Sequence, residues 1–257
     1  MATAKENAIN LYMKGIRDGQ AEEAINAYTG ARYTQHSTGV ADGKEGFLAF
    51  FGPFIERNPE RDIRIVRALQ DGPKVFVQAH QSLNGGAARW VTTDFFDSDE
   101  AGLIIEHWDV IGEDSAPNPA GRTLVDGATE VTNLAATTAN KALVAEYIDA
   151  CLIGRRVDRM GDFISDEVFL QHSPEMDDGL AAFAEYYGAA DCPLSYQECF
   201  LMVGEGNFVA TLNCTRHAGQ DMCQADIFRL EGGKIVEHWD NAEPVPPREE
   251  WANSGKF

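Results

Sequence analysis

The sequence has few basic residues and no long apolar run. Its 257 residues hold 21 Lys and Arg against 41 Asp and Glu, a formal net charge of −20. Phosphate groups repel such a chain, so we expect neither nucleic acid nor an anionic membrane as a partner. No run approaches the ~18 apolar residues of a membrane-spanning helix. The opening residues, MATAKENAIN, lack the cationic and apolar parts of a signal peptide. These absences predict a cytoplasmic protein.

Cysteine is scarce, and the motifs of several cofactor classes are missing. The spacing of the five cysteines matches no zinc motif, so we expect reduced thiols. Glycine-rich phosphate loops and the G-x-S-x-G turn are absent, which argues against nucleotide cofactors and serine hydrolase chemistry. The sequence therefore predicts no cofactor. All five cysteines lie in the second half: Cys151, Cys192, Cys199, Cys214 and Cys223.

A metal site is an alternative that the histidine spacing does not support. His36, His80, Asp94 and Asp109 could supply nitrogen and oxygen ligands. However, no H-x-H, H-x-x-x-H or H-E-x-x-H spacing brings two such ligands onto one element. We therefore predict that no metal is bound.

What the sequence does contain is an internal repeat. The tetrapeptide EHWD occurs at 106–109 and again at 237–240. The stretch YTQHS at 33–37 is echoed by FLQHS at 169–173, and Asp94 by Asp226. These landmarks keep their order, and their separation drifts only where loops would absorb a change in length. The chain is therefore interpreted as a tandem duplication.

Each copy begins with a helical pattern. Apolar residues recur at i, i+3, i+4 and i+7 from Ile9 to Ile16, and likewise from Val144 to Cys151. A second helical segment follows the Asp-Gly turn of each copy, around Phe47 and between Leu180 and Tyr187. Each copy therefore has a helical first part.

The period then changes to that of strands separated by turn residues. Helices followed by an antiparallel meander indicate an α+β fold in each copy. Residues 1–112 would form the first domain and 139–257 the second, joined by an irregular linker at 113–138. The predicted strands are Ile63–Ala68, Lys74–Ser82, Arg89–Phe96 and Leu103–Ile111, then Tyr196–Val203, Asn207–Thr215, Met222–Leu230 and Lys234–Asp240.

These stretches resemble the SnoaL-like branch of the nuclear-transport-factor-2-like superfamily, twice over and across nearly the whole chain. The resemblance implies two tandem cystatin-like cones, each with helices packed on a curved antiparallel sheet around an apolar pocket. It also implies polyketide cyclases that perform aldol condensation, and relatives that isomerise, dehydrate, hydrolyse or only bind, so the fold alone does not specify a reaction. The matching stretches are YTQHSTGVADGKEGFLAFF, VFVQAH, TDFFD, GLIIEHWDVI, FLQHSPEMDDG and DIFRLEGGKIVEHWDNAEPVP.

The resemblance implies an acid–base site in the first copy. In the cyclases that the chain resembles, a Gln-x-His and an Asp fourteen residues after the His form the site, and Gln78, His80 and Asp94 have this spacing. Gln78 and His80 leave one face of their strand, and strand pairing could bring Asp94 alongside. Asp94 would be the general acid/base, while His80 and Gln78 hold the carbonyl. Burial would raise the pKa of Asp94; the alternative is a solvated or backbone-capping Asp.

The histidines elsewhere have two interpretations each. Gln35 and His36 follow the first helical region, near the mouth of the expected cone. His36 would be a second acid–base group or a substrate contact, or its ring would bond backbone in a corner of the fold.

For EHWD, alternation places His107 and Asp109 on one face of a strand and Trp108 on the other. His107 and Asp109 would be a structural pair or part of the pocket wall, and Trp108 and Trp239 would be core aromatics. We interpret the tetrapeptide chiefly as architecture. The residues expected to contact substrate are His36, Gln35, Trp108, Asp109 and Phe96.

The second copy is expected to differ in chemistry. It keeps Asp226, but Ala210 and Leu212 are taken as the equivalents of Gln78 and His80. The second copy would therefore be altered in activity or purely structural. Its own pocket residues would be Asp226, His172, Gln171 and Asp240.

The leading functional hypothesis is a cofactor-independent enzyme. It would perform aldol condensation, cyclisation or isomerisation on a small apolar carbonyl compound in the first domain. The two copies would pack as an intramolecular pseudo-dimer, with further homo-oligomerisation as an option. The alternatives are a small-molecule carrier or sensor that uses the same pocket, and an assembly module whose pockets are filled by side chains.

Overall fold

The computed structural model describes residues 2–257 and divides into two compact units. The first unit comprises the chain up to Glu113 together with Pro246–Phe257, and the second comprises Asp114–Val245. This corrects the expected boundaries in two places. Nearly all of the expected linker at 113–138 packs within the second unit, and the segment 246–257 packs within the first.

The first helix of the first unit begins where the sequence supplies a cap. The Thr3 hydroxyl accepts from the Glu6 amide at 3.1 Å, while the Glu6 carboxylate accepts from the Thr3 amide at 2.7 Å. This capping box satisfies two N–H groups at the start of the first helix. The helices are α1 (Ala4–Asn10), which continues as a π-helical segment (Leu11–Arg17), α2 (Ala21–Tyr28) and α3 (Gly43–Arg57).

One five-stranded sheet faces these helices, in the order β1-β5-β4-β3-β2. Neighbours are antiparallel except β1, which runs parallel to β5. Alternate side chains of the sheet pack against the helices, as for Val75, Val77 and Phe96 in the apolar core. The strands are β1 (Thr29–Gln35), β2 (Arg61–Asp71), β3 (Lys74–Leu83), β4 (Ala88–Ser98) and β5 (Ile104–Glu113).

The second unit repeats this topology. Its sheet has the order β6-β10-β9-β8-β7, again with the first strand parallel to the last. The α+β class and the duplicated scaffold are thereby confirmed. Its elements are α4 (Thr137–Tyr147) with a π-helical continuation (Ile148–Ile153), α5 (Met160–Phe163), β6 (Leu170–Gln171), α6 (Leu180–Gly188), β7 (Leu194–Glu205), β8 (Phe208–His217), β9 (Gln220–Glu231) and β10 (Lys234–Pro244).

All eight predicted strands are confirmed, but two elements of the first unit were not predicted. These are α2 and β1. Within residues 2–257, no helix is long and apolar enough to cross a membrane.

Candidate active site in the first unit

The first unit encloses an apolar cavity of about 270 Å³ between its helices and its sheet. Four phenylalanines of α3 form much of one wall, and the sheet contributes most of the polar groups. The lining residues are Leu11, Tyr12, Ile16, Tyr33, Gln35, Ser37, Val40, Phe47, Phe50, Phe51, Phe54, Gln81, Trp90, Thr92, Asp94, Phe96, His107, Asp109 and Ile111.

A chain of three polar side chains crosses the cavity wall on strands β1, β5 and β4. The His107 ring lies between the other two, with Nδ1 2.9 Å from Gln35 Oε1 and Nε2 2.9 Å from Asp94 Oδ1. The register produces this arrangement, since Gln35 is paired with His107 and Asp94 with Asp109. All of these side chains are buried.

The hydrogen bonds show which ring nitrogen of His107 carries a hydrogen. Gln35 Oε1 can only accept, so Nδ1 of His107 carries a hydrogen and donates it. The other ring nitrogen, Nε2, therefore shares a proton with Asp94. Either the imidazolium faces a carboxylate, or a neutral ring faces a carboxylic acid.

Burial raises the pKa of Asp94, and the His107 ring opposes this shift by stabilising the charged form. The second oxygen, Oδ2, is enclosed and accepts no hydrogen bond from residues 2–257. A buried carboxylate oxygen without a donor is costly. The group is consequently poised to hold a proton or to accept one.

Three further groups form a second polar cluster in the lining. The Tyr12 hydroxyl is 2.7 Å from Thr92 Oγ1 and accepts from the Gln81 amide at 3.0 Å. Burial raises the pKa of Tyr12 far above its ordinary value, with the Asp94 charge adding to the shift. The phenol therefore stays neutral and can serve as a hydrogen-bond donor. Sequence reasoning missed Tyr12 as a site residue because its helical spacing indicated only a core position.

The placement of Gln78 and His80 was predicted wrongly. Asp94 is paired with Val77, so it shares the face of Val77 and not that of Gln78. Gln78 instead accepts from Arg67 Nη1 at 2.6 Å, and neither Gln78 nor His80 lines the cavity. The spacing along the sequence fitted, but alternation places both side chains on the opposite side of the sheet from Asp94.

His36 and Trp108 were also predicted wrongly as substrate contacts. Their rings stack with centroids 4.6 Å apart, and neither lines the cavity. The His36 nitrogens face the Gly255 carbonyl oxygen at 2.7 Å and a Glu106 oxygen at 3.0 Å. The structural alternative therefore describes His36, and Trp108 is buried as expected of a core aromatic.

The structure places Gln35, Asp109 and Phe96 in the cavity wall, and their contact with a substrate stays a prediction. It also revises the interpretation of EHWD. Trp108 is architectural, but His107 lies in the cavity wall and contacts Asp94. The tetrapeptide thus contributes to both the scaffold and the site.

The second unit builds the same chain of polar groups. His238 Nδ1 is 3.0 Å from Gln171 Oε1, and Nε2 is 2.9 Å from Asp226 Oδ1. Unlike Asp94, however, Asp226 accepts hydrogen bonds at both oxygens from three more side chains: Tyr196 at 3.0 and 3.1 Å, Asn213 at 2.7 Å and Gln224 at 3.2 Å. No oxygen of Asp226 is left without a donor.

The strand registers show which substitutions cause this difference. Since Asp94 pairs with Val77 and Asp226 with Thr211, Asn213 stands where the first unit has Ala79. By the same register, Tyr196 replaces Ile63 and Gln224 replaces Thr92. The equivalents of Gln78 and His80 are therefore Leu212 and Cys214, two residues beyond the expected Ala210 and Leu212.

The remaining residues expected in the second pocket have structural partners. His172 is buried, stacks on Trp239 with centroids 4.6 Å apart, and bonds Glu237 at 2.9 Å. Asp240 accepts from the Ser173 hydroxyl at 3.0 Å. Gln171 contacts His238, as described above.

One cluster in the second unit has the composition of a metal site. Asp226, His238 and Asp240 bring potential ligand atoms within 4.8 Å of one another. The oxygens of Asp226 already accept from neutral donors and from His238, and such donors would repel a cation. We therefore interpret the cluster as a hydrogen-bonded network.

The first unit thus combines an α+β topology with a buried carboxyl group in an apolar cavity. Residues 11–107 match the SnoaL-like domain family. This match lies within the first unit.

Several solved structures are similar in general shape. One is a protein assigned as a ketosteroid isomerase from Kribbella flavida, 16% identical, with a TM-score of 0.38, covering 44% of this chain and 87% of that one. Another is a SnoaL-like polyketide cyclase from Agrobacterium tumefaciens, 16% identical, with a TM-score of 0.34, covering 40% and 91%. At these values the activities of the two proteins do not carry over to the chain. No curated protein matches it.

Proposed function

We propose that the first unit is a cofactor-independent enzyme that moves a proton at a carbon atom next to a carbonyl group. The observation that supports this is the state of Asp94. One oxygen is held by His107 at 2.9 Å, and the other has no donor among residues 2–257 while its carboxyl group lines the cavity. A raised pKa brings such an acid closer to the pH at which it can both accept and return a proton.

The proposed reaction begins with transfer of the α-proton from substrate carbon to Oδ2 of Asp94. The C–H electron pair forms a carbon–carbon double bond, and the carbonyl π pair moves onto oxygen to give an enolate. The Tyr12 hydroxyl, which stays neutral, would donate to the developing oxyanion, assisted by Gln81. His107 keeps Asp94 oriented because Gln35 fixes the proton on Nδ1.

Two outcomes follow from this enolate. Return of the proton from Asp94 to a different carbon is an isomerisation. Attack of the enolate carbon on a second carbonyl of the same molecule is an aldol cyclisation, in which the Asp94 proton goes to the new alkoxide. The apolar walls of a cavity of about 270 Å³ favour a small apolar substrate.

Hydrogen–deuterium exchange tests the proton-transfer step without knowledge of the natural substrate. The protein would be incubated with an apolar cyclic ketone, 2-tetralone, in D₂O, and loss of the α-proton signal followed by NMR. Asp94→Asn should reduce the protein-dependent exchange rate about 10²- to 10⁴-fold, as for loss of a general base. Asp226→Asn is the matched control in the second unit and should leave the rate unchanged.

The same experiment separates this enzyme from a binding protein that uses the pocket without turnover. Binding alone would shift the ketone signals without exchange in either variant. If Asp94→Asn folds normally and exchanges 2-tetralone as fast as the parent, the proposed function is wrong. Equal losses from both substitutions would contradict the assignment of the activity to the first unit.

A further inference from the structure

A lysine carried by the segment 246–257 lies against the site. Lys256 is buried, and its Nζ donates to Oδ1 of Asp109 at 2.7 Å. The Asn253 amide holds the segment in place by donating to the Ser37 and Val40 carbonyls at 2.6 and 2.9 Å. The hydrogen bond from Ala252 N to the Thr38 carbonyl, at 2.8 Å, adds a backbone contact.

Asp109 and Asp94 form an acid pair in the cavity wall. They are directly opposed on β5 and β4, both are buried, and both line the cavity. Two neighbouring buried carboxyl groups do not readily both carry charge, so one of them tends to keep a proton. A cation beside one member decides which.

The second unit shows the same arrangement without the cation. There the linker takes the place of the segment 246–257, because the Thr123 carbonyl faces His172 Nδ1 at 2.8 Å just as the Gly255 carbonyl faces His36. The next residue is Leu124 in the second unit and Lys256 in the first, and both are buried.

The two acids differ accordingly. Burial raises the pKa of Asp240 to about 6, with the Asp226 charge adding to the shift. At Asp109 burial also acts to raise the pKa, but Lys256 and His107 outweigh it, and the net shift is downward.

We propose that Lys256 is a positioning residue of the first site: its ammonium holds Asp109 as the carboxylate, so that the proton of the acid pair stays with Asp94 and His107. The assignment deepens the proposed function and rests on it. With Lys256 in place the two acids differ in protonation, so one defined group, Asp94, exchanges the proton with the substrate.

The other titratable groups around Asp109 do not duplicate this effect. Asp94 faces it from β4 and His107 from its own strand, while Tyr12 and Tyr33 approach from the first helix and from β1. Burial raises the pKa of both tyrosines, with the Asp94 and Asp109 charges adding to it, so both remain neutral. Among the groups named here, Lys256 is the one that places an ammonium group beside Asp109.

Side-chain carboxyl NMR of the full chain, labelled with ¹³C at aspartate, tests the proposal directly. Resonances would be assigned with Asp94→Asn, Asp109→Asn and Asp240→Asn. In Lys256→Met the titration midpoint of Asp109 should rise towards that of Asp240, about 6. Lys256→Arg should keep it low, because that substitution preserves the charge.

A reciprocal substitution in the second unit supplies the control. Leu124→Lys should lower the Asp240 midpoint by at least one pH unit, whereas Leu124→Met should not change it. The proposal is overturned if Asp109 titrates identically in the parent and in a Lys256→Met protein whose amide spectrum is otherwise unchanged. Should that variant lose its fold, an unmoved Asp240 midpoint in Leu124→Lys overturns it.

These titrations do not depend on turnover. If ketone exchange is unimpaired in Asp94→Asn, the proposed function is wrong. The carboxyl titrations would still show separately whether the Lys256 assignment is correct.

Discussion

Three substitutions separate the surroundings of Asp94 from those of Asp226, and one of them is at Ala79, whose side chain is only a methyl group. Ala79 stands at the register position of Asn213, whose side-chain amide donates to Asp226 at 2.7 Å. Hydrogen bonds to the charged form of a carboxyl group lower its pKa. The small side chain of Ala79 thus helps to leave Asp94 Oδ2 without a donor.

Ala79→Asn should therefore lower the proton-transfer activity of the first site. The new amide would donate to Asp94, stabilise the carboxylate and weaken it as a base, and we expect exchange of 2-tetralone to fall about tenfold or more. Ala79→Val is the control for added bulk. Equal rates in Ala79→Asn and in the parent would show that the unpaired oxygen does not matter.

A pH dependence is expected of Asp240. Its pKa is raised from 3.8 to about 6, so the folded state binds this proton more tightly than the unfolded state. The resulting stabilisation is complete below pH 3.8 and is lost as the pH rises through 6. Asp240→Asn has no titrating group at this position, so its stability does not fall over this pH range for this reason. Its free energy of unfolding relative to the parent should rise by roughly 2 kcal/mol between pH 4 and pH 7, allowing for partial exposure.

Urea unfolding of both proteins at the two pH values measures this difference. A constant difference would mean that Asp240 has an ordinary pKa in the folded protein.

At the scale of the element, α3 depends on one glycine. A Cβ at Gly46 would overlap the Ala41 carbonyl oxygen and must displace the turn before the helix. That turn holds Asp42, which accepts from the Gln35 backbone amide at 2.7 Å. The packing of Gly46 is consequently connected to the polar chain behind Asp94.

Gly46→Ala should destabilise the first unit by about 1–3 kcal/mol, the usual cost of overpacking. The corresponding position of the second unit already holds Ala182, and Ala182→Gly should cost only the ~1 kcal/mol of helix propensity. Thermal unfolding compares the two variants. A Gly46→Ala protein as stable as the parent would show that the turn yields without cost.

The strands that local signals mark were predictable, and one that they do not mark was missed. β2 to β5 follow one another through turns, so alternation and glycine identified each. β1 pairs in parallel with β5, across some seventy residues of intervening chain, and no adjacent turn indicates it. Since β1 brings Gln35 to His107, missing the strand meant missing the polar chain.

The same limit applies to the face of Asp94. Its spacing from His80 was correct in number, but register, which spacing cannot specify, placed His107 beside it instead. Asp94, Gln35, Asp109 and Phe96 could be predicted from the sequence. Lys256 could not, because nothing local indicates where the segment that carries it packs.

At the scale of the whole molecule, the two copies share one fold but surround their buried acids, Asp94 and Asp226, with different side chains. Both units keep the Gln-His-Asp chain, while three neighbouring positions decide whether the acid is saturated with donors. Each unit includes a segment that follows the last strand of the other unit's sheet. This segment begins at Asp114 in the second unit and comprises 246–257 in the first.

Because each unit contains a segment that follows the other unit's sheet, the order in which the units are synthesised differs from the order in which they are completed. The amino-terminal half is translated first, yet the side chain that neutralises its inner acid is encoded almost 150 codons after that acid. The first unit can therefore be completed only after the whole second unit has been synthesised.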